Sequence, residues 1–332
     1  MKPRQIGRDG PMISPMGVGA MSFAEFYGPT TDAASHAILD AAIELGVTHI
    51  DTSNVYGMGR SENAIGSYFA ANPSARDGFH IATKAGISRT PDGMRAFDNS
   101  ADHLEAELDK SLARMGIDHV DLFYIHRRDD SIPIEEATEN LARLVKSGKT
   151  RAIGFSEIAP SSLRRAASVH HIAAVQSEYS LATRYPELGL VQTCAELGTA
   201  LVAFSPVSRS YLTDNPLTDK ALGNLPFLTG NPRFQEPNLS VNRKITDGFR
   251  ALAADMGTPA SALALAWLMH QGDHIIPIPG TRSVSHFHEL AAGMDLALSA
   301  DDLAAIESVL PVGWAHGDRY NADQWTGPER YS

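Results

Sequence analysis

An acid, a phenol, an amine and an imidazole stand at or just beyond the ends of three successive apolar runs. Val47–Ile50 runs into Asp51, and five residues on a loop carries Tyr56 beside Gly57. Ile81-Ala82-Thr83 runs into Lys84, and Leu122-Phe123-Tyr124-Ile125 into His126. A phenol with a pKa of about 10 gives up its proton reluctantly near neutrality. An ammonium beside it favours the phenolate, and Lys84 is placed to supply one. Asp51 can pair with that lysine, and His126 can hydrogen-bond the same substrate oxygen. Such a set suits a carbonyl oxygen that gains negative charge as it is protonated. It holds no evident nucleophile or metal cage. The electron pair must then arrive from elsewhere, and a nicotinamide hydride is the natural source.

Each residue alone has a structural reading. A strand-end aspartate caps a turn, a lysine sits on the surface, a tyrosine packs, and a histidine fills a core. Their convergence at C-terminal strand ends, where barrel enzymes keep their active sites, favours the functional reading. Other candidates are weaker. In His286-Phe287-His288, histidines two apart do not share a helix face, and His170-His171 has the same fault. With no H-E-x-x-H or C-x-x-C, a metal site is not expected. Arg127-Arg128-Asp129-Asp130 reads as a solvated charge cluster or local salt bridge rather than a substrate clamp.

The elements that must position these residues alternate in type. Strand-like runs lie near 16–20, 47–51, 79–84, 120–126, 151–156, 173–178, 200–205 and 274–279. Amphipathic stretches separate them, including 31–45, 101–114, 135–147, 161–168, 187–197, 243–256, 259–270 and 284–292. Eight such alternations predict an α/β fold, a (β/α)8 TIM barrel spanning 1–332 as one domain. An open doubly wound sheet is the alternative. Asp9-Gly10 between short runs predicts an N-terminal β-hairpin on the barrel floor. Residues 208–242, rich in Pro, Gly and Asn, read as a long lid or binding loop on the C-terminal face. The aromatic tail 312–332 is expected to pack near the site.

Composition narrows the partners. With 43% hydrophobic and 20% charged residues, the 332-residue chain has the balance of a globular protein. A net charge of −11 argues against nucleic acid or an anionic membrane as the main partner. A single cysteine excludes an internal disulfide and fits a reducing compartment. No secretory h-region or membrane-length apolar run is evident, so a cytoplasmic location is expected. The expected partner is a small-molecule carbonyl or alcohol. Monomer and homo-oligomer both stay open.

A nicotinamide dinucleotide needs a phosphate site. Gly17-Val18-Gly19 does not complete G-x-G-x-x-G, and no P-loop is present. Barrels offer the loops after strands seven and eight instead. There, Gly280-Thr281-Arg282-Ser283 leads into a helix and combines backbone N–H groups, hydroxyls and a guanidinium.

Across nearly its whole length the chain resembles an aldo-keto reductase. The similarity rests on Asp51 to Glu62, Thr83-Lys84, Asp121 to His126, Gly148 to Ser156, Gln176 to Leu181, Ala203-Phe204-Ser205-Pro206 and Ile278 to Arg282. Phe26-Tyr27-Gly28-Pro29 and Ser156-Glu157 are most similar to the bacterial and plant branch with pyridoxal-reductase-like and auxin-induced-like members. The resemblance implies a barrel that binds NADPH, with NADH as the alternative. It implies Tyr56 as proton donor, supported by Asp51, Lys84 and His126. Ser156 and Gln176 would hold the carboxamide, and Phe204 would stack on the ring. Ser205, Arg209 and Leu212 would follow the pyrophosphate, and Gly280, Thr281, Arg282 and Ser283 the adenosine phosphate. His286 falls where relatives place an arginine on the 2′-phosphate, and Leu290 where an asparagine contacts adenine, while Glu289 is retained. Glu157 replaces an asparagine on the carboxamide. The implied reaction is reversible reduction of an aldehyde or ketone. A non-catalytic cofactor-binding regulatory subunit and a Schiff-base lyase using Lys84 are the alternatives.

Overall fold

The computed structural model describes residues 2–90 and 92–331; Met1, Pro91 and Ser332 lie outside the described residues. Two short strands, β1 (Arg4–Gln5) and β2 (Met12–Ile13), pair antiparallel as the predicted hairpin. Eight parallel strands follow in one sheet: β3 (Val18–Gly19), β4 (His49–Asp51), β5 (His80–Ala85), β8 (Val120–Ile125), β9 (Thr150–Ser156), β10 (Ala174–Glu178), β11 (Ala200–Phe204) and β12 (Ile275–Pro277). The sheet curls until its ends meet. Gly17 N–H donates to Pro277 O and Gly19 N–H to Pro279 O, each at 2.9 Å. A Cβ on Gly19 would lie 2.5 Å from Ile278 O, so the seam needs a glycine there. The barrel expectation holds, with each strand on the run predicted for it.

Period-2 alternation sorts the strands into two packed layers. Ala82, Leu122, Tyr124, Ala174, Val202 and Ile276 fill the barrel interior, closed below by Ile6 and Ile13 of the hairpin segment. Ile81, Phe123, Ile125, Ile153, Phe155, Val175 and Leu201 pack outward beneath the helices. The same alternation turns Lys84, two past Ala82, inward. In register, Lys84 pairs with Tyr124, and Tyr124 with Gly154. A Cβ at Gly154 would fall 2.6 Å from the Tyr124 ring.

Thr31 caps helix Asp32–Glu44 by accepting from Ala34 N–H. Other elements differ from expectation. Helix Arg60–Ala71 was not anticipated because it begins on polar residues that are buried: Ser61 and Glu62 are fully enclosed. Helix Ala300–Val309, with a capping box at Ser299 and Asp302, and the hairpin β6 (Ile87–Arg89) with β7 (Arg95–Phe97) were also missed. The 208–242 segment is not a featureless loop. It holds short helical pieces at Asp219–Gly223 and Pro226–Thr229, and the next helix starts at Asn238 rather than 243. Tyr211, Leu222, Leu225, Leu228, Phe234 and Leu239 give it a small core of its own. That core explains why prolines and glycines did not leave it unstructured.

Candidate active site

Asp51, Lys84 and His126 leave the C-terminal ends of neighbouring strands, and the loop after β4 brings Tyr56 back over them. The Lys84 ammonium is fully buried and donates to Asp51 Oδ1 at 2.5 Å and to Thr52 O at 2.7 Å. It also lies 3.5 Å from Tyr56 Oη. The Tyr56 ring meets the His126 imidazole edge-on, with centroids 5.8 Å apart. Ser53 Oγ sits 3.0 Å from His126 Nδ1. From across the barrel, Gln176 Nε2 donates to Asp51 Oδ2 at 2.7 Å. Positive φ at Met58 and Gly59 lets the loop reverse before helix Arg60–Ala71.

The electrostatics set a protonation state for each group. Burial alone would push the Lys84 pKa down, but Asp51 and then Tyr56 reverse this, and it lies above its ordinary value. Lys84 therefore stays charged. Tyr56 is half-buried, yet its surroundings cost a phenolate more hydration than Lys84 returns, so its pKa is raised. The ammonium pulls as the sequence implied, but desolvation outweighs it and the phenol keeps its proton. Burial, then Arg127, Lys84 and Arg95, hold His126 well below the usual histidine range. Its imidazole is neutral at physiological pH.

The other candidates gather on the same face. Ser156 ends β9, where its Oγ accepts from Arg127 Nη1 at 3.0 Å. Phe204 ends β11 and stays half-exposed. Beyond it, Ser205, Ser208, Arg209 and Ser210 all hold positive φ between 51° and 83°. Such strain in non-glycine residues is costly and concentrates at functional loops. Arg209 pairs with Glu178 at 2.8 Å, yet its Nε is buried without a partner. Leu212 is fully buried in the core. At the seam, the Thr281 hydroxyl accepts from Ser283 N–H, and Ser283 caps helix Val284–Ala292. Gly280 lies close against Gly19 O, where a Cβ would come within 2.6 Å. Arg282 is exposed and donates to Pro29 O at 2.7 Å. His286 is exposed, Glu289 half-buried, and Leu290 buried in the core. A strained loop with an orphaned guanidinium N–H, and a capped helix start with an exposed arginine, are donors suited to phosphate oxygens. A groove of about 900 Å3 lies at the opposite end of the barrel, beside the strand starts at Ile13, Phe79 and His80. The acid–base group is remote from it.

Comparison with known proteins agrees with this geometry. The model of the "Aldo/keto reductase family" matches residues 15–311. The chain belongs to the aldo/keto reductase family. An aldo-keto reductase yakc [NADP(+)] from Schizosaccharomyces pombe is 35% identical over 96% of this chain and 94% of its own. A probable aldo-keto reductase 1 from Glycine max is 34% identical, over 96% and 92%. Among solved structures, the glycerol dehydrogenase AKR11B4 from Gluconobacter oxydans superposes with a TM-score of 0.81 at 26% identity, covering 93% of this chain and 94% of the other.

Within this aldo/keto reductase, several site residues escaped sequence reasoning. Glu62 is fully buried and accepts from Thr83 Oγ1 and Arg114 Nε, both at 2.6 Å, which fixes β5 one residue before Lys84. Glu157, expected to face a carboxamide, is taken up by the tail. Arg319 forms a two-pronged ion pair with it, and Glu178 N–H donates to its Oε1 at 2.8 Å. Burial would raise the Glu157 pKa, but Arg319 holds it below the ordinary value. Tyr320 and Trp325 each stack on the Arg319 guanidinium at 4.7 Å. Glu329 N–H donates to Glu157 O, and the Tyr331 hydroxyl meets Ser177 Oγ at 3.1 Å. The tail thus lies across the ends of β9 and β10. Arg127 and Arg128, expected in a solvated cluster, are instead buried. The one signal available in sequence was their place directly after His126.

Proposed function

We propose that this chain is an NADPH-dependent reductase of aldehydes or ketones, with Tyr56 as the proton donor. The observation that carries the reading is Tyr56 Oη held 3.5 Å from a buried, charged Lys84, beside a neutral His126. The raised pKa of Tyr56 keeps its proton available at neutral pH. As the substrate oxygen gains charge, Tyr56 passes its proton to it. Lys84 then lies close to the forming phenolate and stabilises it. Asp51, itself steadied by Gln176, keeps Lys84 in place. With the Ser53 hydroxyl donating to Nδ1, His126 has Nε2–H free to orient the carbonyl oxygen.

The bound nicotinamide would supply the hydride that adds to the carbonyl carbon. Phe204, Ser156 and Gln176 are the residues we assign to its ring end. Ser205, Arg209 and Leu212 are assigned to the pyrophosphate segment, and Gly280, Thr281, Arg282, Ser283, His286 and Glu289 to the adenosine end. Arg282 favours the 2′-phosphate, because a guanidinium binds such a group through two parallel hydrogen bonds. The printed NADP(+) in the name of the Schizosaccharomyces pombe relative supports the same choice. A small-molecule carbonyl or alcohol partner and a cytoplasmic location complete the proposal. A Schiff-base role for Lys84 is disfavoured, since that chemistry needs a lysine with a depressed pKa and Asp51 does the reverse.

The test is Tyr56→Phe, which keeps the ring and removes one hydroxyl. Turnover of a reactive aldehyde, followed by loss of nicotinamide absorbance, should fall at least ~10²-fold. Cofactor binding and thermal stability should change little. Near-normal turnover would remove Tyr56 as the acid. Tight cofactor binding by the wild type without turnover across many carbonyls would favour a regulatory subunit.

A further inference from the structure

Directly beside the proton-handling group sits a cation with no assigned task. Arg127 is only 9% exposed. Its Nη1 donates to His126 O at 2.6 Å and to Ser156 Oγ at 3.0 Å. Its Nε is buried and has no partner. Among the described residues, no carboxylate forms an ion pair with it. Its neighbour in sequence, Arg128, is matched by Glu329 at 3.4 Å. Glu157 feels the charge of Arg127, but that group already holds Arg319 and the Glu178 N–H. Lys84, the other cation of the site, is neutralised by Asp51.

A second cation reinforces the first. Arg95, exposed on β7, stacks its guanidinium 5.2 Å from the Phe97 ring and forms no ion pair among the described residues. Its pKa is lowered, first by loss of hydration and then by Arg127, so the two lie within each other's field. Both also depress His126. Buried charges are ordinarily paired, because an unpaired one loses several kcal/mol of hydration. A buried guanidinium beside His126 and Ser156, with a free Nε and no paired carboxylate among the described residues, is suited to hold an anion.

We infer that Arg127 binds an anionic group of the substrate, so that the carbonyl compound reduced here carries a carboxylate or phosphate elsewhere on the same small molecule. The inference rests on the assignment of Tyr56 as the acid at this site. Arg127 acts in binding and takes no part in the proton or hydride step.

The experiment compares 4-carboxybenzaldehyde with its neutral counterpart 4-formylbenzamide, with 4-formylphenyl phosphate as the phosphate arm, using the full chain and NADPH. The wild type should prefer one of the anionic aldehydes by kcat/KM, and the preferred one names the anion. In Arg127→Met the ratio of anionic to neutral kcat/KM should fall about 10- to 100-fold, the effect of one charge-assisted hydrogen bond. The loss should fall mainly on KM, and Arg127→Lys should recover part of it. Arg95→Met should shift the ratio the same way by a smaller factor. As it alters an exposed side chain, it carries the test if Arg127→Met fails to fold. A calorimetric arm titrates benzoate and benzamide into the protein with and without NADP+. Benzoate should bind more tightly, and Arg127→Met should abolish the difference. An unchanged ratio in folded variants, or equal binding of benzoate and benzamide to the wild type, would overturn the inference. If no aldehyde is turned over, the reductase reading fails, and calorimetry alone still decides whether Arg127 binds an anion.

Discussion

Asp51→Asn isolates the electrostatic support of the proposed acid. The wild-type carboxylate is 2% exposed and accepts from a lysine with no exposure at 2.5 Å. Asparagine preserves the shape and removes the charge. Lys84 then keeps Thr52 O at 2.7 Å but loses the carboxylate it pairs with. Breaking a buried pair from one side costs about 3–5 kcal/mol, because the remaining charge is left without compensation. A second, smaller loss arises at Gln176, whose Nε2 donates to Asp51 Oδ2 at 2.7 Å. An asparagine amide there sets donor against donor unless Gln176 turns over. Against a typical total stability of about 5–15 kcal/mol, the expected deficit is large.

Urea unfolding of Asp51→Asn, Lys84→Met and the double variant measures it. The double variant buries no charge, so it should recover at least about 2 kcal/mol relative to the sum of the two single losses. Carbonyl reduction should stay at least ~10²-fold down in all three. The sign of the pH dependence adds a second check. In the wild type the raised Lys84 pKa contributes stability below its unfolded value of 10.5, lost as pH rises through the folded value. Without Asp51, burial holds that pKa below 10.5, so the deficit of Asp51→Asn should shrink as pH rises from 7 towards 10. A deficit under about 1 kcal/mol, strictly additive losses, or a deficit that grows with pH would refute the coupled pair.

Three further outcomes are expected. Burial depresses His49, His80 and His126, so the unfolded chain takes up protons first as pH falls below about 6.5. Stability should therefore decline with acid by up to about 1.4 kcal/mol per pH unit for each histidine, and thermal unfolding from pH 7 to 5.5 would show no decline if they stayed exposed. Arg282→Ser should raise KM for NADPH about tenfold or more with a much smaller effect on NADH; parallel changes would remove Arg282 from the 2′-phosphate. Arg319→Ala leaves Glu157 and Glu178 without their tail partner and should expose residues 312–331 to limited proteolysis while the barrel stays intact. Wild-type cleavage rates would show that the tail's other contacts hold it without the Arg319 ion pairs.

The barrel and the four residues proposed to handle the proton were legible because short-range rules place them. A strand of period two, followed one residue later by an ionisable group, sets Lys84 inward whatever the distant chain does. The same rules failed where polarity is compensated from far away. Helix Arg60–Ala71 begins on polar residues and carries Glu62 in its first turn. The burial of Glu62 makes sense only with Thr83 and Arg114, and no local pattern announces that pairing. The 208–242 segment failed for the complementary reason: its prolines and glycines suppress periodicity, and its packing comes from Tyr211, Phe234 and neighbours meeting in space.

Arg127 and Arg319 mark the limit most clearly. Both are arginines in polar stretches of sequence, and both end up buried on the same barrel face. Their difference is one of partners. Arg319 meets Glu157, more than a hundred residues earlier, and so closes the tail over the strand ends. Arg127 meets two neutral oxygens and no acid. A sequence lists both as charges. Only the folded chain shows that one is paired with a carboxylate and the other is not, which is why the proposed preference for a charged substrate has no signature in the local sequence.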